Sequence, residues 1–303
     1  MADIVLGVAI EEMIHMTIAA NLLIALGGVP AIDTPAFVPT YPGSLPMGVG
    51  GLSVHLKKCS IPQIRDVYMA IEESNRPLVI PSAATPDGVV IEAPGTETIG
   101  DFYNHIAAKI KTFGDAAFTG DFSKVVVSLK WFPDENDMFR ITDTASALRA
   151  IDVIVDQGEG SSVDPFDHDG YPAHFYRFEQ IVQGNELIHR PGETPPYAFA
   201  GASVPFDAYA VWDMDDDPKV EKYAPGSRSR ELAAQFSHAY TALLKALHRT
   251  FDGDPEYLDT AMGMMQGLTP LAQQVLAEPA QWADPAVTLN KQTGLCFQHM
   301  PGA

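Results

Sequence analysis

The chain has 303 residues, 46% of them hydrophobic, and a formal net charge of −20. That is enough apolar chain for a substantial core, and the negative charge argues against phosphate backbones and anionic membranes as partners. The two cysteines, Cys59 and Cys296, lie far apart and outside any Cys-x-x-Cys pattern. This spacing argues against a disulfide framework or a structural zinc site and fits a reduced cytoplasm.

Residues 2–26, ADIVLGVAIEEMIHMTIAANLLIAL, are apolar on every face, as a helix inside a bundle is. Glu11, Glu12, His15 and Asn21 interrupt this run, and carboxylates in such surroundings need charge compensation. Glu12 and His15 are three apart and project from one face. Glu-x-x-His is the spacing by which a helix offers a carboxylate and an imidazole to a metal in a bundle core, and equally that of an internal ion pair. The run has no basic segment ahead of it, and its charged centre suits neither a signal peptide nor a membrane span. Gly27-Gly28, with Pro30 beyond, end the helix.

Residues 27–60 are rich in Pro and Gly without a helical period, and a loop of that length is expected to wrap over the bundle. A helix follows from Pro62 to about Glu73, capped by Ser60, with Ile64, Val67, Tyr68 and Ile71 at helical spacing. Glu72 and Glu73 fall at its solvated end. Residues 76–97 are again punctuated by Pro and Gly, with one short apolar run at Val89-Val90-Ile91. Thr96 or Thr98 caps the next helix, Ile99 to Phe113, whose stripe is Ile99, Phe102, Ile106, Ile110 and Phe113. Asp101 and His105 lie four apart on a neighbouring face.

Lys124 to Phe132 reads as a strand and Met138 to Thr142 as its returning partner. Ala145 to Gln157 is a helix closed by Gly158, with Asp152, Asp156 and Glu159 on or just past it. An acidic loop then leads to a helix carrying His174, Arg177 and Phe178. Residues 185–226 read mostly as loop. Asp213, Asp215, Asp216 and Asp217 lack the glycine and terminal glutamate of a calcium loop and read as a solvated turn. Two longer helices, Ser229 to Thr250 and Pro255 to about Leu276, and an irregular tail from Asp284 complete the chain. The methionines of the last helix read as core filler. No dinucleotide fingerprint, phosphate loop or nucleophile elbow occurs.

Several stretches in order carry a family resemblance: Glu11-Glu12-Met-Ile-His15 with Asn21, Gly27-Gly28-Val-Pro30, Tyr41-Pro42-Gly43, Ile71-Glu72, Ile99-Gly100-Asp101-Phe102-Tyr103, Gln157-Gly158-Glu159-Gly160 and His174-Phe-Tyr-Arg-Phe178. From residue 1 to about 275 the chain resembles the ferritin-like domain found alone in many bacteria and within iminophenylpyruvate dimer synthases of violacein- and rebeccamycin-type pathways. The resemblance implies a mainly α, ferritin-like helical bundle with long covering loops, two extra C-terminal helices and a minor β hairpin. The whole chain reads as one domain over 1–303, with the metal-site helices in 1–184 and a loop-rich segment plus helical pair in 185–303.

Carried over residue by residue, the implied metal ligands are Glu12, His15, Asp101, Glu159 and His174. Asp101 stands where the family usually has Glu, and Tyr171 stands three before His174, so only the first Glu-x-x-His is intact. Family members usually carry a further glutamate-bearing helix ahead of the first one seen here. The implied cofactor is iron, one or two ions, with manganese or zinc as substitutes, and the implied activity is oxidation of a small organic, imino- or amino-acid-like substrate. The competing reading is an inactive binding or assembly module. A small-molecule substrate and a homodimer are the partners this reading allows, without nucleic acid or membrane.

Overall fold

A computed structural model describes residues 1–45, 51–73, 78, 80, 98–158 and 164–302, with the backbone of Glu159. The expected run Val89-Val90-Ile91 lies outside the described residues. The fold is mainly α. Its helices are α1 (Ala2–Ala25), α2 (Ile61–Gln63, running on as a π-helix over Ile64–Met69), α3 (Ile99–Phe113), α4 (Thr144–Glu159), α5 (His174–Gln183), α6 (Arg228–Phe251) and α7 (Leu258–Ala277). Two small antiparallel pairs accompany them, β1 (Gly43–Ser44) with β2 (Ser53–Val54) and β3 (Asn185–His189) with β4 (Tyr197–Ser203).

The apolar run of α1 makes it the axis of two cores. Val8 packs into one with Ile64, Met69, Phe175, Tyr176 and Phe178. Ile14, Ile18, Leu22 and Ile24 pack into the other with Ile110, Val126, Ile151, Ile154 and Phe251. Burying each of these aliphatic side chains contributes about 1.5–3 kcal/mol. Glu11, Glu12 and His15 fall on α1 at the seam between the cores. By length and composition α1 could cross a membrane, with a mean hydropathy of 1.5, but 56% of that stretch is buried inside the fold.

Helix ends follow the sequence closely. The Ser60 side chain accepts a hydrogen bond from the Gln63 N–H at 3.1 Å, and Thr98 accepts one from Asp101 at 3.1 Å. Both are N-caps, and Asp101 completes a capping box by accepting from the Thr98 N–H. At the far end of α1, Gly120 donates to the Ala25 carbonyl at 3.1 Å. A Cβ at Gly120 would stand 1.8 Å from the Ile24 carbonyl oxygen, so only glycine lets this strand of chain close the helix.

The expected hairpin at 124–142 does not form. Phe122–Lys124 is a single 3-10 turn, and the apolar chain after it runs irregularly, burying Val125, Val126 and Phe132 and leaving Val127 and Leu129 exposed. Its backbone is satisfied by a side chain instead: the Asn21 amide donates to the Val126 carbonyl at 2.7 Å, and its oxygen accepts from the Val126 N–H at 2.8 Å. One carboxamide on α1 does what a neighbouring strand would do. The longer hairpin lies at Asn185–Ser203, in a region expected to be loop, where the Pro-rich turn hides two short half-exposed strands.

The described part of the covering loop packs on the bundle, with Ile32 buried in the core of Ile14, Ile18 and Ile151 and Val38 against it. It also runs to the C-terminal elements: the Pro30 carbonyl accepts from His248 Nδ1 at 2.9 Å, and the Asp33 carbonyl accepts from His299 Nε2 at 2.9 Å. The cluster Asp213–Asp217 is not the expected solvated turn. Lys58 pairs with Asp213 at 2.9 Å, Lys222 with the buried Asp215 at 2.9 Å, Lys291 with Asp216 at 2.6 Å and His55 with Asp217 at 2.6 Å.

Candidate metal centre

Four helices meet at the seam of α1. His174 opens α5 and has no exposed surface. Its Nε2–H donates to the Glu11 carboxylate at 2.9 Å. Glu11 is held in turn by the Arg177 guanidinium at 2.7 Å, one turn further along α5. With Nε2–H committed to Glu11, Nδ1 is the nitrogen left for a metal, once it gives up the proton that the surrounding carboxylates favour. Nδ1 meets Glu12 Oε1 at 3.0 Å and Glu72 Oε2 at 3.7 Å. Neither contact has hydrogen-bond geometry, so among the described residues the buried Nδ1 has no hydrogen-bond partner.

His15 repeats the pattern from α1. Its Nε2 lies 2.9 Å from Gln157 Oε1, and the Gln157 amide donates to Asp137 Oδ2 at 2.9 Å. A carboxylate only accepts, so the Gln157 NH2 faces Asp137 and its oxygen faces His15. His15 therefore carries its proton on Nε2 and turns Nδ1 toward Glu12 Oε1, 3.4 Å away. The two imidazoles stack with centroids 5.3 Å apart. Donor atoms of Glu12, His15 and His174 all lie within 4.8 Å of one another. Two imidazoles, each donating its outer N–H to a fixed acceptor, offer their inner nitrogens to one carboxylate, the arrangement by which proteins orient metal-ligating histidines.

The electrostatics follow from burial and these contacts. Burial alone would raise Glu12, but the His15 and His174 imidazoles beside it outweigh that and pull the carboxyl down to about 2. Burial disfavours the charged imidazole of His174, yet Glu11, Glu12 and Glu72 together push it up to about 11. Burial holds Glu72 above the usual carboxylate range despite the His174 imidazole beside it, and the Glu12 charge adds to that. Beside the cluster lies a pocket of about 150 Å³, bordered by Glu12, His15, Glu72 and Tyr103 with apolar walls from Ile71, Ile99 and Ile154. No described residue of the 27–60 loop borders it.

Of the five residues expected from sequence, the structure brings Glu12, His15 and His174 together. Asp101 lies one residue beyond the pocket-lining Gly100, and its carboxylate closes the capping box of α3. The Glu159 side chain lies outside the described residues. Tyr171 is 63% exposed and takes no part. Sequence reasoning missed Glu72, expected in solvent but only 14% exposed. The π-helical turns before it shift its direction by more than a regular helix would, and π-helical segments cluster at functional sites. Gly158 on α4 makes room for it: a Cβ there would stand 3.4 Å from Glu72 Oε2. Glu11 and Gln157 were visible in the quoted motifs, but their roles as acceptors for the outer imidazole protons were not.

A family model described as Ferritin-like matches residues 1–183, which include α1 to α5 and every residue of the cluster. The chain belongs to the ferritin-like family. Among solved structures, this ferritin-like chain is similar to a ferritin-like protein from Caulobacter vibrioides at 20% identity, over 83% of this chain and 75% of that one, with a TM-score of 0.48. Comparison with curated proteins gives no match.

Proposed function

We propose that the centre binds iron through Glu12, His15 and His174, with Glu72 in reach, and that the protein is a non-haem oxidoreductase acting on a small organic, imino- or amino-acid-like molecule. The observation that carries the metal reading is His174 Nδ1, buried without a hydrogen-bond partner among the described residues and 3.0 Å from a carboxylate oxygen. Mixed imidazole and carboxylate donors suit iron, with manganese and zinc as competitors. When bound, iron supplies one-electron exchange and a site for O2. The chain supplies the rest: Glu11 and Gln157 hold protons on the outer imidazole nitrogens, and Glu12 stays ionised. The pocket of about 150 Å³ supports a small substrate, since drug-sized ligands occupy about 300–1,000 Å³. Both cysteines are free thiols, which supports the reduced cytoplasm as compartment.

A second reading rests on the same histidine. Protonated, His174 is the cation that neutralises Glu11, Glu12 and Glu72, and the bundle then serves as a metal-free binding or assembly module. Metal content separates the two. Protein purified without a His tag and reconstituted anaerobically with Fe(II) should hold about one or two irons per chain, as di-iron bundles do. Glu12→Ala/His15→Ala should hold none while keeping its helical circular dichroism. A folded wild type without metal would overturn the proposal.

A further inference from the structure

On the far side of Gln157 lies a second cluster, built by other residues. Asp137 is 6% exposed and sits in the turn before α4. Arg149 donates to the Glu135 and Asn136 carbonyls at 3.2 and 3.0 Å and holds that turn in place. Asp137 Oδ2 accepts from Gln157, but its buried Oδ1 has no hydrogen-bond partner among the described residues. It points to His168 Nε2, 3.7 Å away, and Asp169 Oδ2 reaches the same nitrogen at 3.5 Å.

The opposite nitrogen of His168 decides what Nε2 is. Asp156 Oδ2 accepts from both the His168 backbone N–H and its Nδ1–H, each at 2.9 Å. With the proton on Nδ1, Nε2 offers a lone pair to two carboxylate oxygens. Three acceptors facing one another repel unless a proton on Nε2 or a metal cation lies between them. Atoms each about 2.1 Å from a common ion at tetrahedral or octahedral angles stand about 3.0–3.4 Å apart, and the set here, with contacts of 3.5 and 3.7 Å and no pair beyond 4.8 Å, is more open. A pocket of about 460 Å³, bordered by Asn136, Arg149, Asp156 and His168, opens the cluster to solvent, so water can complete the coordination.

We propose that Asp137, His168 and Asp169 form a second divalent-cation site, with Asp156 as the outer carboxylate that orients His168. Two carboxylates to one imidazole suit a first-row ion such as Mn2+. The site is joined to the candidate centre by one hydrogen-bonded chain, Asp137–Gln157–His15, so an ion on Asp137 also fixes the orientation of His15.

The test uses the full chain and Mn2+ alone, followed through the imidazole proton resonances. The His168 signal, identified by its absence in His168→Gln, should broaden at lower Mn2+ than that of the exposed His238. Asp169→Asn should raise the Mn2+ needed at least about ten-fold, because even outer-shell changes cost 10–100-fold in metal affinity. Both variants change partly exposed side chains and should keep the wild-type melting temperature. If His168 is only the cluster's own cation, or if Mn2+ only gathers on the acidic surface, His168 and His238 broaden together and Asp169→Asn changes nothing. Either result overturns the proposal.

Discussion

Two acidic clusters in this chain are built on opposite plans. Asp213, Asp215, Asp216 and Asp217 each meet a basic side chain of the chain itself: Lys58, Lys222, Lys291 and His55. Those contacts tie the 55–58 segment and the C-terminal tail to one turn. The α1 seam gathers Glu11, Glu12 and Glu72 instead. Among the described residues, Arg177 pairs with Glu11, while Glu12 and Glu72 face imidazoles. A lysine-saturated cluster has its counter-charges within the fold and is structural. A cluster whose partners are imidazoles with fixed outer protons has inner nitrogens that a cation from outside can take in exchange for a proton. Carboxylate density is the same sign in both places, and the identity of the partner separates architecture from chemistry.

The largest expected effect breaks the one true ion pair of the seam. Arg177 bridges Glu11 and Asp167, at 2.7 and 3.4 Å, and is nine-tenths buried. Arg177→Met leaves Glu11 with His174 alone and Asp167 with backbone N–H donors alone, and should cost about 3 kcal/mol in urea unfolding of the metal-free protein. A loss under 1 kcal/mol would mean that the seam does not depend on its cation. Next comes Lys222→Met, which strands the buried Asp215. Lys222 is 39% exposed, so solvent softens the loss to about 2 kcal/mol. That variant should leave metal content unchanged, and a change would erase the distinction between the clusters.

The smallest effect sharpens the comparison with a carboxylate of a third kind. Glu179 is 3% exposed and meets the Gln183 amide at 3.3 Å. Burial pushes it up to about 7 from an ordinary 4.5, with the Gln183 amide pulling only slightly the other way. A raised carboxyl pKa means that the fold holds the proton more tightly than the unfolded chain does. Its contribution is complete below pH 4.5 and is lost as pH rises through 7. Glu179→Gln should therefore be more stable than wild type at pH 8, by about 1 kcal/mol, and equal to it at pH 4. Denaturant midpoints at the two pH values check the sign, and an unchanged difference would show that Glu179 does not titrate with folding.

What the sequence made legible was periodic or local. The α1 seam could be read because Glu12 and His15 break an otherwise apolar run at helical spacing. Ser60 and Thr98 could be read as caps because N-capping is local chemistry. Glu72 could not, since a π-helix is not written in hydrophobic spacing. Lys124 to Phe132 has strand composition, yet its backbone partner at Val126 is the Asn21 side chain, 105 residues away. The lysines of the Asp213–Asp217 turn come from as far as Lys58 and Lys291, and no pattern within the turn announces them. Fold class lies in short-range spacing, whereas the character of each cluster lies in partners that only the tertiary fold supplies.

The measurement that tests the central claim most directly is X-ray absorption at the iron edge of Fe(II)-reconstituted protein, compared with His174→Ala. The account predicts a shell of nitrogen and oxygen donors with the multiple-scattering signature of two imidazoles in wild type, reduced to one when His174 is removed. A spectrum without imidazole scattering, or one that His174→Ala leaves unchanged, would contradict it and leave His174 as the buried counter-ion of three glutamates.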